Sequence, residues 1–195
     1  MSSKLSTSCG KRKYLTQEEQ GRFLGAASEL ERGEVRTFCM VLAYTGCRIS
    51  EALELSAERI DLSAKTITFR TLKQRNNKIV FRVVPVPNNL LEALELVHSI
   101  RKLRRSKSGS SNAPLWNFRR AMASRHVATV MERAGITGIH ACPKGLRHGF
   151  GVRMAQKTRN PRLVQKLLGH SSLDTTAIYM DLVGEEEHAE VVGAW

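Results

Sequence analysis

Cysteine is scarce in this chain, and its placement follows no ligand pattern. Cys9, Cys39, Cys47 and Cys142 are too sparse for a disulfide framework and stand at no metal-site spacing. That excludes a small stapled scaffold and a structural zinc module. Cys39 and Cys47 lie among apolar residues and read as small buried thiols of a reducing cytosol. Long hydrophobic runs are also missing. The best, Phe38 to Tyr44, is seven residues long, against the roughly 20 of a bilayer-spanning helix. Met1 to Lys13 is polar and basic without an apolar centre, so it does not read as a secretory signal. There is no Gly-rich phosphate loop, and no Ser-His-Asp or Cys-His arrangement is suggested. His140 and Cys142 lack partners at zinc spacing, so neither a metal nor a nucleotide cofactor is expected. Acidic residues are the last shortage. Asp and Glu number 18 against 31 Lys and Arg, leaving a net charge of +13 and a pI near 10.1. A surplus of that size favours a polyanion, because each neutralised phosphate releases a condensed counterion. No basic amphipathic segment stands out as a membrane anchor.

What is present is enough for one folded domain: 195 residues, 42% hydrophobic and 25% charged. Thr16-Gln17-Glu18-Glu19 is a capping box that opens a helix to about Ser28. Val35, Phe38, Val41 and Leu42 recur at helical spacing over Gly33 to Thr45, and Gly46 breaks that helix. A shorter helix is expected from Ile49 to Leu55. The period then changes. Thr66 to Phe69 and Ile79 to Val84 are β-branched and aromatic, and with the polar turn Leu72 to Lys78 they predict a hairpin with a basic tip. Further helices are expected over Asn89 to Arg104 and at about 118–134, 145–156, 161–168, 173–180 and 185–193. The fold class is therefore mainly α with a small antiparallel β-sheet.

Four segments carry chemistry. Thr45-Gly46-Cys47-Arg48 places an arginine at a helix start behind a glycine break. Lys73 stands on the hairpin tip. Pro143 to Phe150 contains Lys144-Gly145-Leu146-Arg147-His148. Leu168-Gly169-His170 precedes Tyr179 by nine residues, counted from His170. Together, in this order, these segments closely resemble the catalytic domain of tyrosine recombinases of the phage-integrase type, over roughly residues 14–183.

The resemblance implies the tyrosine recombinase catalytic-domain fold and a site-specific recombinase or integrase. Such an enzyme cleaves and rejoins DNA through a 3′-phosphotyrosine intermediate. It assigns catalytic roles to Arg48, Lys73, Lys144, Arg147, His170 and Tyr179. Two planar guanidinium forks, Arg48 and Arg147, suit the non-bridging oxygens of a phosphodiester and stay charged at any working pH. Tyr179 is the nucleophile. His170 donates a hydrogen bond to the phosphate, and Lys73, with Lys78 as its rival on the same loop, protonates the leaving 5′ oxygen. Lys144 stands where the common box has its first histidine. Lysine there supplies positive charge and a proton donor but is a poorer base for the tyrosine proton. His148 mostly supports the site, and Glu51 either orients Arg48 or caps charge on its helix. Arg101 to Lys107 and the cluster Lys157, Arg159 and Arg162 are candidate DNA-backbone contacts.

The expected organisation is a flexible basic arm or linker remnant over 1–13, a catalytic domain over 14–183 and a C-terminal helix over 184–195. The resemblance implies that this helix docks in a neighbouring subunit; the apolar spacing of Ala189, Val192 and Trp195 is compatible with that and equally with folding back on its own core. Expected partners are double-stranded DNA, a homo-tetramer on two DNA sites and an accessory DNA-bending protein, in a bacterial or archaeal cytoplasm at the nucleoid. Type IB topoisomerase-like nicking and resealing is the rival enzymatic reading. A DNA-binding protein with impaired catalysis is the rival from another class.

Overall fold

Helix formation begins where the sequence supplies its cap. The Glu19 amide donates to Thr16 Oγ1 at 3.2 Å, and the Thr16 amide donates back to the Glu19 carboxylate at 3.0 Å. This capping box opens α1 (Gln17–Ser28). The computed structural model describes residues 5–71, 80–106 and 110–181. α2 (Gly33–Thr45) buries Val35, Phe38, Val41 and Leu42, the apolar stripe visible in the sequence. It ends at Gly46 with φ 59°, where a Cβ would stand 2.6 Å from the Phe150 ring. Backbone conformation and packing both demand glycine there. α3 (Ile49–Leu53) follows at once.

The expected hairpin is the larger part of a three-stranded antiparallel sheet: β1 (Ile60–Asp61), β2 (Thr66–Thr71) and β3 (Val80–Pro85), in that order. Register places Ile67 opposite Val84 and Phe69 opposite Arg82. β1 has two residues and is too short to show a period. The helix expected over Asn89 to Arg104 is two helices, α4 (Asn88–His98) and α5 (Ile100–Arg105). Ser99 breaks it in the left-handed conformation at φ 52°. Beyond the break Ile100 is fully buried, and the Arg104 guanidinium donates to the Ile60 carbonyl at 2.9 Å. Burial of Ile100 and that link to β1 compensate the strained serine.

α6 (Arg120–Arg133), α7 (Pro143–Thr158), α8 (Pro161–Leu168) and α9, the helical residues 174–181, complete the described chain. Proline in the first turn of α7 and of α8 removes an amide that would have no partner there. A single core joins these elements. Phe38 meets Trp116 edge-on at 5.2 Å, and Trp116 Nε1 donates to Thr37 Oγ1 at 3.2 Å. Among the described residues, no helix is long and apolar enough to cross a membrane.

The N-terminal stretch differs from a flexible arm where it is described. Leu5 is fully buried, Ser6 and Arg12 bridge in antiparallel fashion, and Arg12 pairs with Glu19. Leu5 is the one large apolar side chain between residues 2 and 13, and its burial draws this stretch onto the domain. Residues 1–4, the Lys73 tip (with Lys78) and the C-terminal helix expected at 185–193 lie outside the described residues.

Candidate active site

The ends of α2 and α8 and the starts of α3 and α7 converge on a cavity of about 540 Å³, lined by Arg48, Lys144, Arg147, His148, His170 and Tyr179 together with Arg120, Ser124 and Thr175. α7 brings Lys144, Arg147 and His148. Spacings of three and four residues put the first of these on one helix face with each of the others. Arg147 is buried between the ends of α2 and α8. One guanidinium nitrogen donates to the Gly46 carbonyl and another to the Leu168 carbonyl, each at 2.7 Å. Helix C-termini carry partial negative charge and unpaired carbonyls, so a cation is well placed there.

Arg48 is the N-cap of α3. Its guanidinium donates to Glu51 at 2.7 Å, and its amide donates to the other carboxylate oxygen at 2.8 Å. Glu51 therefore does both things left open by the sequence: it orients the arginine and closes the helix start. Its second oxygen also receives Arg82 at 2.6 Å. Buried Arg82 continues to the Leu167 carbonyl at 3.0 Å and lies over the Phe69 ring. Burial opposes ionisation of Glu51, but Arg82 and Arg48 outweigh it and hold the carboxyl below its usual range. Arg48 and Arg82 pair with Glu51, and Arg147 lies within the field of the same carboxylate. A phosphodiester placed among them would supply countercharge.

Tyr179 comes from α9 and is buried to 1% exposure, its ring parallel to His170 at 6.1 Å between centroids. Its Oη lies 2.9 Å from His148 Nδ1. His170 Nδ1 is 3.0 Å from Thr176 Oγ1, which leaves Nε2 as the nitrogen free to serve a ligand. Burial pushes the Tyr179 phenol up to about 12, against the pull of Arg147 and Arg48. Burial, then Lys144 and Arg147, hold His148 down at about 4, and burial, Arg147 and Arg48 hold His170 at about 3. Burial and the neighbouring Arg48 lower Arg147 to about 10, still charged at neutral pH.

These shifts predict acid sensitivity with a definite sign. The unfolded chain protonates both imidazoles as pH falls below about 6.5, and the folded chain does not until near 4 and 3. Stability present above pH 6.5 is thus lost as pH falls through that window. His98 and His126, also lowered by burial, act in the same direction. The melting temperature is expected to drop steadily from pH 7 to 5, with net proton uptake on unfolding; a flat profile in calorimetry would contradict it.

The cavity gathers five of the six residues anticipated as catalytic, with Lys73 outside the described residues. Lys144 is exposed at the opening turn of α7. Sequence reasoning missed Arg82 and Gly151. Arg82 shares the inward face of β3 with Val84, but Phe81 and Val83 point outward and disguise the alternation. A Cβ on Gly151 would stand 2.6 Å from the Tyr179 ring, so this helical glycine is the floor under the tyrosine. Of the basic stretches, Arg101 is paired with Glu95 at 3.6 Å and Arg104 with the Ile60 carbonyl. Arg162 and Lys166 line a cleft with Phe81, Arg82 and His170.

Comparison with known proteins gives a consistent picture. The phage integrase family profile matches residues 13–186. Tyrosine recombinase XerA of Thermococcus kodakarensis is 32% identical over 178 residues, covering 89% of this chain and 59% of that protein. A crystal structure of XerH site-specific recombinase bound to difH substrate, a pre-cleavage complex, superposes with a TM-score of 0.70 at 27% identity, covering 86% of this chain and 50% of that one. The catalytic domain of bacteriophage HP1 integrase shares the fold, with a TM-score of 0.63 at 20% identity over 91% of this chain and 92% of that one. The chain spans between half and three fifths of the length of the XerA and XerH proteins.

Proposed function

The chain belongs to the phage integrase family, and on that premise we propose that it is the catalytic domain of a tyrosine recombinase that breaks and rejoins DNA through a bond between Tyr179 and a 3′ phosphate. The observation that carries this reading is the cavity itself, where the Tyr179 phenol lines a pocket with two arginines held at fixed positions. Arg48 and Arg147 bind the non-bridging oxygens and stabilise the charge that grows on them as phosphorus becomes five-coordinate. His170 Nε2 donates a further hydrogen bond. Lys144 adds positive charge at the mouth of the site, and Lys73 protonates the departing 5′ oxygen. The catalytic domain is assigned to 14–183, with the basic stretch before it packed against it through Leu5 and Arg12, and 184–195 to a helix exchanged between subunits. The partners are duplex DNA, a tetramer on two sites and an accessory DNA-bending protein, in a prokaryotic cytoplasm at the nucleoid.

Covalent capture tests the reaction class and finds the target site in the same experiment. The protein is incubated with nicked suicide duplexes whose central base pairs are randomised. Adducts are then separated under denaturing conditions, sequenced and digested to find the modified peptide. The expected result is one recovered DNA motif and a nucleotide phosphate on Tyr179. No adduct at any sequence, alongside salt-sensitive DNA binding, would sink the proposal.

Gly151→Ala provides a local check on nucleophile placement. Alanine favours helix over glycine by about 1 kcal/mol, yet its methyl would collide with the tyrosine ring. A displacement near 1 Å is enough to lower adduct formation by about 100-fold. The expected variant is folded, binds DNA and cleaves slowly; wild-type cleavage rates would show that the ring is not held there.

A further inference from the structure

We propose that His148 is the base that takes the proton of Tyr179 as its Oη bonds to phosphorus. The inference rests on the recombinase reading above and assigns the step for which Lys144 is poorly suited. The placement is direct: Nδ1 of His148 lies 2.9 Å from Oη, within the reach a general base needs. In the tautomer with its proton on Nε2, Nδ1 accepts from the phenol. One helix organises the pair. On α7, His148 is one turn beyond Lys144, and Gly151, three residues further, admits the tyrosine ring.

The other candidates are disfavoured by their own chemistry. Lys144 is exposed at the mouth of the site, and a lysine ammonium offers donors rather than an acceptor for the phenolic proton. His170 faces the tyrosine ring in a parallel stack and engages its Nδ1 with Thr176. Burial first, and then the charges of Lys144, Arg147 and Lys13, all cationic, keep the His148 imidazole unprotonated and able to accept. The negative charge of a bound diester offsets those cations and makes the imidazole more basic as the phenol reacts.

The step balances as follows. The Oη–P bond forms and the P–O5′ bond breaks. The phenolic proton goes to Nδ1, and the electron pair of the broken bond stays on the 5′ oxygen. That oxygen takes a proton from a lysine ammonium, Lys73 by the reading above, or from water. In rejoining, the 5′ hydroxyl attacks phosphorus and gives its proton back to that lysine or to water, the Oη–P bond breaks, and Nδ1 returns its proton to Oη.

The test uses the duplex recovered by wild-type covalent capture, made with either oxygen or sulfur at the bridging 5′ position. Sulfur departs without needing a proton, so loss of the leaving-group acid is tolerated there and loss of the base is not. His148→Asn places an amide oxygen near the Nδ1 position, where it can accept a hydrogen bond but cannot hold the proton. Its adduct formation is expected to fall by about 10²–10⁴-fold on both substrates. The residual rate should rise about tenfold per pH unit, as the phenol then has to ionise unaided. His148→Ala should be equally slow and should regain activity with added imidazole. Melting curves and DNA-binding titrations accompany both variants, and the alanine–imidazole pair carries the test if the asparagine variant does not fold. Loss on oxygen with recovery on sulfur would move His148 to the leaving group and overturn the proposal. Wild-type rates in the variants would overturn it as well, while leaving the recombinase reading intact. Absence of any wild-type adduct would instead bring down that reading, and this inference with it.

Discussion

Tyr179→Phe is expected to abolish covalent attachment to DNA completely while leaving the fold and DNA binding in place. The substitution removes one oxygen and nothing else. The ring that fills the space above Gly151 and stacks on His170 remains. His148 Nδ1 loses its partner at 2.9 Å, a cost of about 1 kcal/mol for a typical hydrogen bond. That is too little to unfold a domain of this size. Arg48 and Arg147, the proposed phosphate clamp, are untouched, so affinity and its salt dependence should match wild type. Neither remaining tyrosine can take over. Tyr44 receives a hydrogen bond from Asn89 at 2.8 Å, and Tyr14 precedes α1; neither lines the cavity. The measurement is a denaturing gel of suicide-substrate reactions with both proteins side by side. A shifted band that survives in the variant would place the nucleophile elsewhere.

How much of this is legible in the sequence depends on whether a feature is local to a short stretch of chain. The capping box at Thr16, the stripe along α2 and the hairpin strands are set by neighbours within a few residues, and the structure has them where periodicity puts them. The site boxes are visible because their residues stand close together in the chain. Arg48, Lys144, Arg147, His170 and Tyr179 can therefore be picked out from the sequence alone, and the fold adds their convergence on one cavity. Features that depend on distant contacts are not legible. Ser99 splits a continuous helical pattern because Ile100 finds a buried place and Arg104 a carbonyl on β1. Leu5 orders a stretch whose composition reads as an arm. Arg82 joins Glu51 to the end of α8, across 31 residues in one direction and 85 in the other. Gly151 matters only because a tyrosine far along the chain rests on it.

Arg147→Ala is expected to damage cleavage severely and stability measurably, because the same guanidinium serves both. In the proposed role as a clamp on the phosphate it would supply charge stabilisation that grows in the transition state. Loss of one such preorganised donor costs roughly 3–4 kcal/mol, or about 10²–10³ in rate. As a structural group it closes the ends of two helices, bonding the Gly46 and Leu168 carbonyls at 2.7 Å. Its removal leaves both buried carbonyls unpaired, at about 1–3 kcal/mol each before relaxation or water entry. Relief of repulsion with Arg48 and Arg82 offsets part of that loss. The net result should be a lower melting temperature, a DNA affinity whose salt dependence is shallower by about one phosphate contact, and adduct formation slowed by at least about 100-fold at saturating DNA. Arg147→Lys separates the two functions. It keeps the charge but has one nitrogen in place of a fork, so it cannot hold two carbonyls and a phosphate in fixed geometry. Its salt dependence should therefore match wild type while cleavage stays impaired. Normal cleavage by the alanine variant would mean that Arg147 only ties α2 to α8, and that Arg48 and His170 hold the phosphate without it.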